Sequence, residues 1–353
     1  MGEALNDLSG RTIFVAGAGG FLGSRICLAA ARAGARVAAL SRSGRARGLA
    51  GAAGIEIVRG DLLDPPSIAA SIGPGVDVVN AAYDFLADDD DQRAAFDNLL
   101  SAAQSAKARS FVQISSIAVY DEWPTGALNE DSPCDGPGNS YKALKREFEL
   151  KLADAAAPHT ILQPTIVYGT GGWQWTDRLI EELEAGRVVL PDDPRGLCHA
   201  VHVDDVAAAV LCALVAERRA SRCIISGPAP VEWGALYAGY AEMIGAAPPE
   251  FQPFGAPETA PLGVAAPPSP LAMKAKRALR RMIGERGLAT IRKSVTAIKR
   301  GGGEIIARPE GAMLELMRAR GSCSIARAKA EIDFTPAIDL AEGLTRIRAT
   351  RRS

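Results

Sequence analysis

Tyr141 and Lys145 stand four residues apart in NSYKALKREFEL, a stretch of helical composition, so both side chains project from one helix face. An ammonium beside a phenol favours the phenolate, lowering tyrosine from its ordinary value of about 10 toward working pH, as a general acid/base requires. Upstream, Ser115 and Ser116 close the apolar run SFVQIS, where a hydroxyl can hydrogen-bond a substrate carbonyl. YxxxK alone is common in helices. Its meaning depends on what positions it.

The positioning elements are visible from residue 11 onward. Short β-branched runs (TIFVAG, RVAAL, IEIVRG, VDVVNAA, SFVQIS, TILQPTIVYG) alternate with alanine-rich helical stretches up to about residue 170. This is the pattern of parallel βαβ units, whose strands are apolar throughout because both faces are covered. The expected fold is therefore α/β, a Rossmann-type doubly wound parallel sheet over residues 1–170. A smaller, less regular substrate region is expected over 171–353, with some elements packing back on the first domain. Such sheets bind ligands beyond the carboxyl ends of their strands.

The first βα turn carries Gly17, Gly20, Phe21, Leu22 and Gly23 as GxxGxxG, directly after a strand and opening a helix. Glycine permits a tight turn and close backbone approach to a pyrophosphate, whose charge meets the helix N-terminus. An acidic residue ending the second strand would hold the ribose hydroxyls and repel a 2′-phosphate. Here that strand ends in Ser41 and Arg42, with Arg45 and Arg47 close behind, so NADP(H) is favoured and NAD(H) stays open. Asp61 and Leu62, after the third strand, fit the edge of an adenine pocket, although Asp61 equally suits a turn.

Composition narrows the alternatives. The chain has 353 residues, 48% of them hydrophobic, with 40 lysines and arginines against 41 acidic residues. It can bury a sizeable core, and its balanced charge gives no reason to expect nucleic acid. The six cysteines have no metal-ligand spacing, no metal site is expected, and reduced thiols in a cytoplasmic protein are the expectation. The acidic MGEALNDLSG does not read as a signal peptide. Val203–Ala216 reads as a helix capped by Asp204 or Asp205, the run Asp88–Asp91 as a helix cap, and His199 and His202 as structural.

These motifs, in this order, closely resemble the extended short-chain dehydrogenase/reductases, the NAD-dependent epimerase/dehydratase family. The resemblance rests on VAGAGGFLG, Asp61-Leu62, Asn80-Ala81-Ala82, ISSIAVY, Tyr141 with Lys145, QPTIVYG and HVDDVA, and more weakly on SIARAKAEIDFTP. It spans nearly the whole chain except roughly 255–320. It implies that Ser116 orients the carbonyl, that Tyr141 is the acid/base, and that Lys145 lowers its pKa and holds the ribose. Ala81, Ala82, Pro164, Thr165 and Ile166 would line the cofactor. The resemblance also implies a nucleotide-sugar substrate and a homodimer. Ala16, Gln92, Asp121 and Gln163 depart from the family pattern, where threonine, asparagine, glycine and arginine are usual.

Substrate contacts are expected from Tyr83, Tyr120 and Trp173 on loops at the strand ends, and from Arg195, which suits a diphosphate. Residues 272–300 mix apolar and basic side chains at helical spacing. A solvated helix, peripheral contact with an anionic membrane at the inner face, and a partner protein all fit that segment. NADPH-dependent reduction of a keto group on a nucleotide sugar is the leading expectation. Epimerisation or dehydration with retained cofactor comes second; reduction of a non-sugar ketone and a non-catalytic NADP(H) sensor are further alternatives.

Overall fold

The computed structural model describes residues 7–44, 46, 48–155, 158–217, 221–254 and 305–352. Arg45, Arg47 and the basic segment 272–300, with the membrane contact expected of it, lie outside the described residues.

Among the described residues, the first seven strands in chain order are β1 (Thr12–Ala16), β2 (Arg36–Ser41), β3 (Ile55–Arg59), β4 (Asp77–Asn80), β5 (Ser110–Ile114), a short β6 (Ala127–Leu128) and β7 (His159–Pro164). With the strand Ser221–Ile225 they build a seven-stranded sheet in the order Ser221–Ile225, β7, β5, β4, β1, β2, β3, from which β6 is excluded. Every pairing in it is parallel. This is a Rossmann-like α/β fold. The strand order reverses between β1 and β4, which opens a crevice at their carboxyl ends. The run TILQPTIVYG divides: β7 stays in the sheet, and Ile166–Tyr168 pairs instead with Ala200–His202.

Helices α1 (Phe21–Arg32), α2 (Pro65–Ala69), α3 (Asp89–Ser105) and α4 (Ser140–Ala153) cover the sheet with Val203–Val215. One apolar layer joins Ile13, Val15, Ile26, Val206 and Val210; the other joins Phe14, Val78, Phe96, Phe111, Leu144 and Phe148. Alternate residues of β1 thus face opposite layers, which is why its sequence is apolar throughout.

The caps follow from local chemistry. Asp88 Oδ1 accepts from Asp91 N at 2.8 Å and starts α3, and Asn139 Oδ1 accepts from Lys142 N at 2.9 Å and starts α4. The helix Val203–Val215 differs from expectation: its cap is His202, whose Nδ1 accepts from Asp204 N at 3.2 Å. Asp205 instead points to the chain near the C-terminus, accepting from Ala337 N at 3.2 Å and Ile338 N at 3.0 Å. Burial holds His202 down at about 4, so it caps as a neutral imidazole.

The chain divides into two compact units. The first comprises 1–178, 197–232 and 320–353 and contains the large sheet; the second comprises 179–196 and 233–319. In the second, the strand Gly186–Pro191 pairs in parallel with Glu250–Gln252 on one side and Ile305–Ala307 on the other. Among the described residues no helix is long and apolar enough to cross a membrane, and no group of three His, Cys, Asp or Glu could hold a metal.

Candidate active site

Register brings the functional strand ends level. Ala16 lies opposite Asn80, Asn80 opposite Gln113, and Ile114 opposite Leu162. Gly17, Ala81 and Ser115 follow one residue later, so turn, loop and serine pair open at one edge.

At two positions the glycine turn is packed to a tolerance only glycine meets. Gly17 has φ +81°, and a Cβ there would sit 2.7 Å from the Ala81 carbonyl carbon and the Ala82 nitrogen. A Cβ at Gly23 would meet the Gly17 carbonyl oxygen at 2.1 Å, whereas one at Gly19 would meet nothing within 4 Å. The turn is thus closed toward the sheet and open outward, above the start of α1. No side chain caps α1 and its first turn holds no acidic residue. This open, uncapped, glycine-lined helix start fits the pyrophosphate of a dinucleotide. Phe21 packs over the turn at 169–172, where a Cβ on Gly172 would come within 2.8 Å of its ring.

The residues expected around the adenosine are placed as follows. Ser41 ends β2, and its hydroxyl lies 3.4 Å from that of Ser43. Arg42 reaches across to Asp84 on the loop after β4, at 3.5 Å. Asp61 forms a turn, its Oδ1 accepting from Leu63 N at 3.1 Å, and the Leu62 carbonyl accepts from Asn98 Nδ2 at 2.8 Å. Asn80 is buried; it accepts from Ala82 N at 3.1 Å and donates to Gln113 at 2.9 Å, fixing the start of the Ala81–Tyr83 loop. Pro164 and Ile166 are buried on either side of Thr165, whose hydroxyl lies 3.3 Å from the Ile225 carbonyl.

At the centre, the Ser116 hydroxyl lies beside the Tyr141 phenol and favours its ionised form. Ser116 also caps the short turn Ile117–Val119, accepting from Ala118 N at 3.2 Å, which fixes its direction. Lys145 is 4% exposed and its Nζ donates to the Ile114 carbonyl at 2.9 Å. The ammonium lies 4.8 Å from the Tyr83 ring centroid and 5.7 Å from that of Tyr141.

The electrostatics differ from the sequence expectation. Burial raises the Tyr141 phenol above its ordinary range, and the nearby Ser116 hydroxyl opposes that rise in part. Burial lowers Lys145 to about 8, opposed by the charge of Glu149. In the protein alone, desolvation outweighs the expected effect of the ammonium on the phenol.

Behind the pair lies a polar network anchored on Glu149, which is 1% exposed. Its carboxylate accepts from Ser115 Oγ at 2.5 Å and Gln163 Nε2 at 2.8 Å, and Arg222 Nη1 lies 3.5 Å away. Gln163, standing where the resemblance leads one to expect arginine, supplies an amide while Arg222 supplies the guanidinium. Glu149 follows Lys145 at the interval at which Lys145 follows Tyr141, and that spacing is its sequence signal. Asp121, the other departure on this side, pairs with Lys142 and accepts from Gly136 N at 3.0 Å.

Of the residues expected to contact substrate, Tyr83 meets Tyr141 edge-on, with centroids 5.0 Å apart. Phe85, which sequence reasoning missed, stacks at 15° to Tyr141 with centroids 6.1 Å apart. Tyr120 is corrected: it is 2% exposed and its hydroxyl donates to Gln163 at 2.6 Å, so it belongs to the supporting network. Trp173 is an exposed ring at the start of a short helical turn. Arg195 belongs to the second unit, paired with Asp192 at 2.7 Å and lying over the Phe251 ring at 4.0 Å.

Sequence comparison identifies the family. The model of the NAD dependent epimerase/dehydratase family matches residues 13–223. The chain belongs to this family. As a member of it, and with reductases among its relatives, it is an NAD(P)-dependent enzyme. A 2-alkyl-3-oxoalkanoate reductase of Stenotrophomonas maltophilia is 28% identical over 225 residues, 60% of this chain and 67% of the relative. A 3-diazoavenalumate denitrifying reductase of a Streptomyces species is 29% identical over 164 residues, 44% of this chain and 53% of the relative. Among solved structures, a UDP-glucose 4-epimerase of Thermus thermophilus in complex with NAD superposes with a TM-score of 0.68 at 20% identity. That match covers 97% of this chain and 99% of the epimerase.

Proposed function

We propose that this protein is an NADP(H)-dependent oxidoreductase that reduces a ketone, with Tyr141 as the proton donor. The observation that carries the reading is the buried Lys145 ammonium, one turn along the helix from Tyr141 and 5.7 Å from its ring centroid, with the Ser116 hydroxyl beside the phenol. Ser116 orients the carbonyl, Tyr141 gives its proton to the carbonyl oxygen, and the Lys145 ammonium steadies the negative charge left on the phenolate. A raised Tyr141 suits this direction, since a protonated phenol is the form that donates.

The bound nicotinamide cofactor supplies the hydride. Gly17, Gly20 and Gly23 would pass close under its pyrophosphate, and Pro164 and Ile166 would border the nicotinamide. Arg42 supports NADP(H), because its guanidinium can exchange Asp84 for a 2′-phosphate.

For the substrate, the UDP-glucose epimerase among the structural neighbours supports a nucleotide sugar, with epimerisation as a related outcome. A non-sugar ketone is supported by the names of the two curated relatives and by the ring of Phe85. We favour the second. The decisive experiment follows NADPH and NADH oxidation with methyl ketones and with UDP-4-keto sugars, in wild type and Tyr141→Phe. Net, stoichiometric consumption of NADPH that is lost in Tyr141→Phe is expected. Turnover without net consumption would make the protein an epimerase, and activity undiminished in Tyr141→Phe would refute the assignment of the proton donor.

A further inference from the structure

The loop between β4 and α3 holds a large apolar ring outward. Phe85 is 73% exposed. Its exposure is built into the loop by bonds on both sides: Asp84 Oδ1 accepts from Leu86 N at 3.0 Å, and the Asp84 carbonyl accepts from Gln92 Nε2 at 2.7 Å and Ala87 N at 2.9 Å. Asp88 then begins α3. Turning Phe85 inward would break this set.

A single exposed phenylalanine needs no explanation, but this one continues a surface. Tyr83 lies edge-on to Phe85 with centroids 4.9 Å apart and edge-on to Tyr141 at 5.0 Å, while Phe85 stacks on Tyr141. The rings form one wall that ends at the phenol assigned to proton transfer. During a reaction, the molecule placed to cover that wall is the one receiving the proton. The polar groups flanking Phe85 are turned to other partners: the Asp84 carboxylate to Leu86 N and Arg42, and Asp88 to the helix start. Sugar hydroxyls laid there would lose water for ring faces, whereas an alkyl chain or aryl ring would gain by burial.

We infer that Tyr83 and Phe85 are the specificity wall of the site, and that the ketone substituent lying against them is apolar, an alkyl chain or an aryl ring. The inference rests on Tyr141 being the proton donor.

The test uses the full chain and Phe85→Ala with methyl ketones from 2-butanone to 2-nonanone, read as NADPH oxidation. In parallel, calorimetry measures the binding of 1-phenylethanol and of UDP-glucose in the presence of NADP+. Wild-type kcat/KM is expected to climb about threefold to fourfold per added methylene until the chain outgrows the rings. In Phe85→Ala that climb falls below about twofold per methylene, and 1-phenylethanol binds about tenfold more weakly. Equal climbs in both proteins would overturn the wall, as would UDP-glucose binding that depends on Phe85 while 1-phenylethanol binding does not. If no ketone is reduced but 1-phenylethanol binding still depends on Phe85, the wall stands and the reductase reading fails. If there is neither turnover nor Phe85-dependent binding, the wall is refuted.

Discussion

Glu149 accepts a hydrogen bond from Ser115 Oγ at 2.5 Å, so the serine adjoining Ser116 is tied to the helix that carries Tyr141 and Lys145. The bond joins the end of β5 to α4. It places one buried carboxylate behind both hydroxyl-bearing sides of the site, with Gln163, Arg222 and Arg146 also against it.

The charge of Glu149 holds Lys145 higher than burial alone would, at about 8. We expect kcat for reduction to fall as pH rises through about 8 and the ammonium is lost. In Glu149→Gln the opposing charge is gone, so that limb should move to lower pH. A kcat profile checks this, and an unmoved limb would contradict the coupling.

Lys145 should also cost stability. Its folded pKa of about 8 lies below the ordinary 10.5, so the folded state is penalised while the ammonium is present. The penalty is full below about pH 8 and disappears as pH rises toward 10.5. Lys145→Met should therefore be more stable than wild type at pH 7, by about 1–3 kcal/mol in denaturant titration, while losing turnover.

Arg42 should carry cofactor preference. Losing a charge-assisted contact to phosphate costs about 1.5–3 kcal/mol. In Arg42→Ala, kcat/KM for NADPH should fall by about tenfold to a hundredfold, with NADH little changed. Parallel losses with both cofactors would count against the assignment.

Gly23→Ala puts a methyl group 2.1 Å from the Gly17 carbonyl oxygen, which forces the turn out of shape. Cofactor affinity in fluorescence titration should fall more steeply than the melting temperature, since the deformed backbone is what faces the pyrophosphate.

At the opposite end of the sheet, Asp77 is fully buried and accepts from Arg11 Nε at 2.9 Å and Ser110 Oγ at 2.6 Å. Asp77→Ala takes the carboxylate away from the largely buried Arg11 guanidinium, and about 3–5 kcal/mol of stability should be lost on chemical unfolding.

Legibility in the sequence followed the range of the interactions. The parallel strands, the glycine turn and the Tyr141–Lys145 face depend on residues close in the chain, and each could be placed from local pattern. Tyr120 could not: its ring goes inward because Gln163, more than forty residues away, takes its hydroxyl. Likewise His202 displaced Asp204 as a cap because its backbone is extended at the helix entrance, a geometry no composition rule encodes. Phe85 escaped notice because an apolar residue in a loop reads as ordinary packing until the Asp84 and Gln92 bonds that hold it outward are seen.

Tyr141, Lys145 and Glu149 leave α4 at successive turns, so about 6 Å of helical rise separates each from the next. The spacing of phenol, ammonium and carboxylate is set by main-chain hydrogen bonds, whereas the loop bearing Phe85 is held largely by the side chains of Asp84 and Gln92. On the reading proposed above, substitutions in that loop would change which ketone is accepted while leaving the phenol, ammonium and carboxylate of the helix in place.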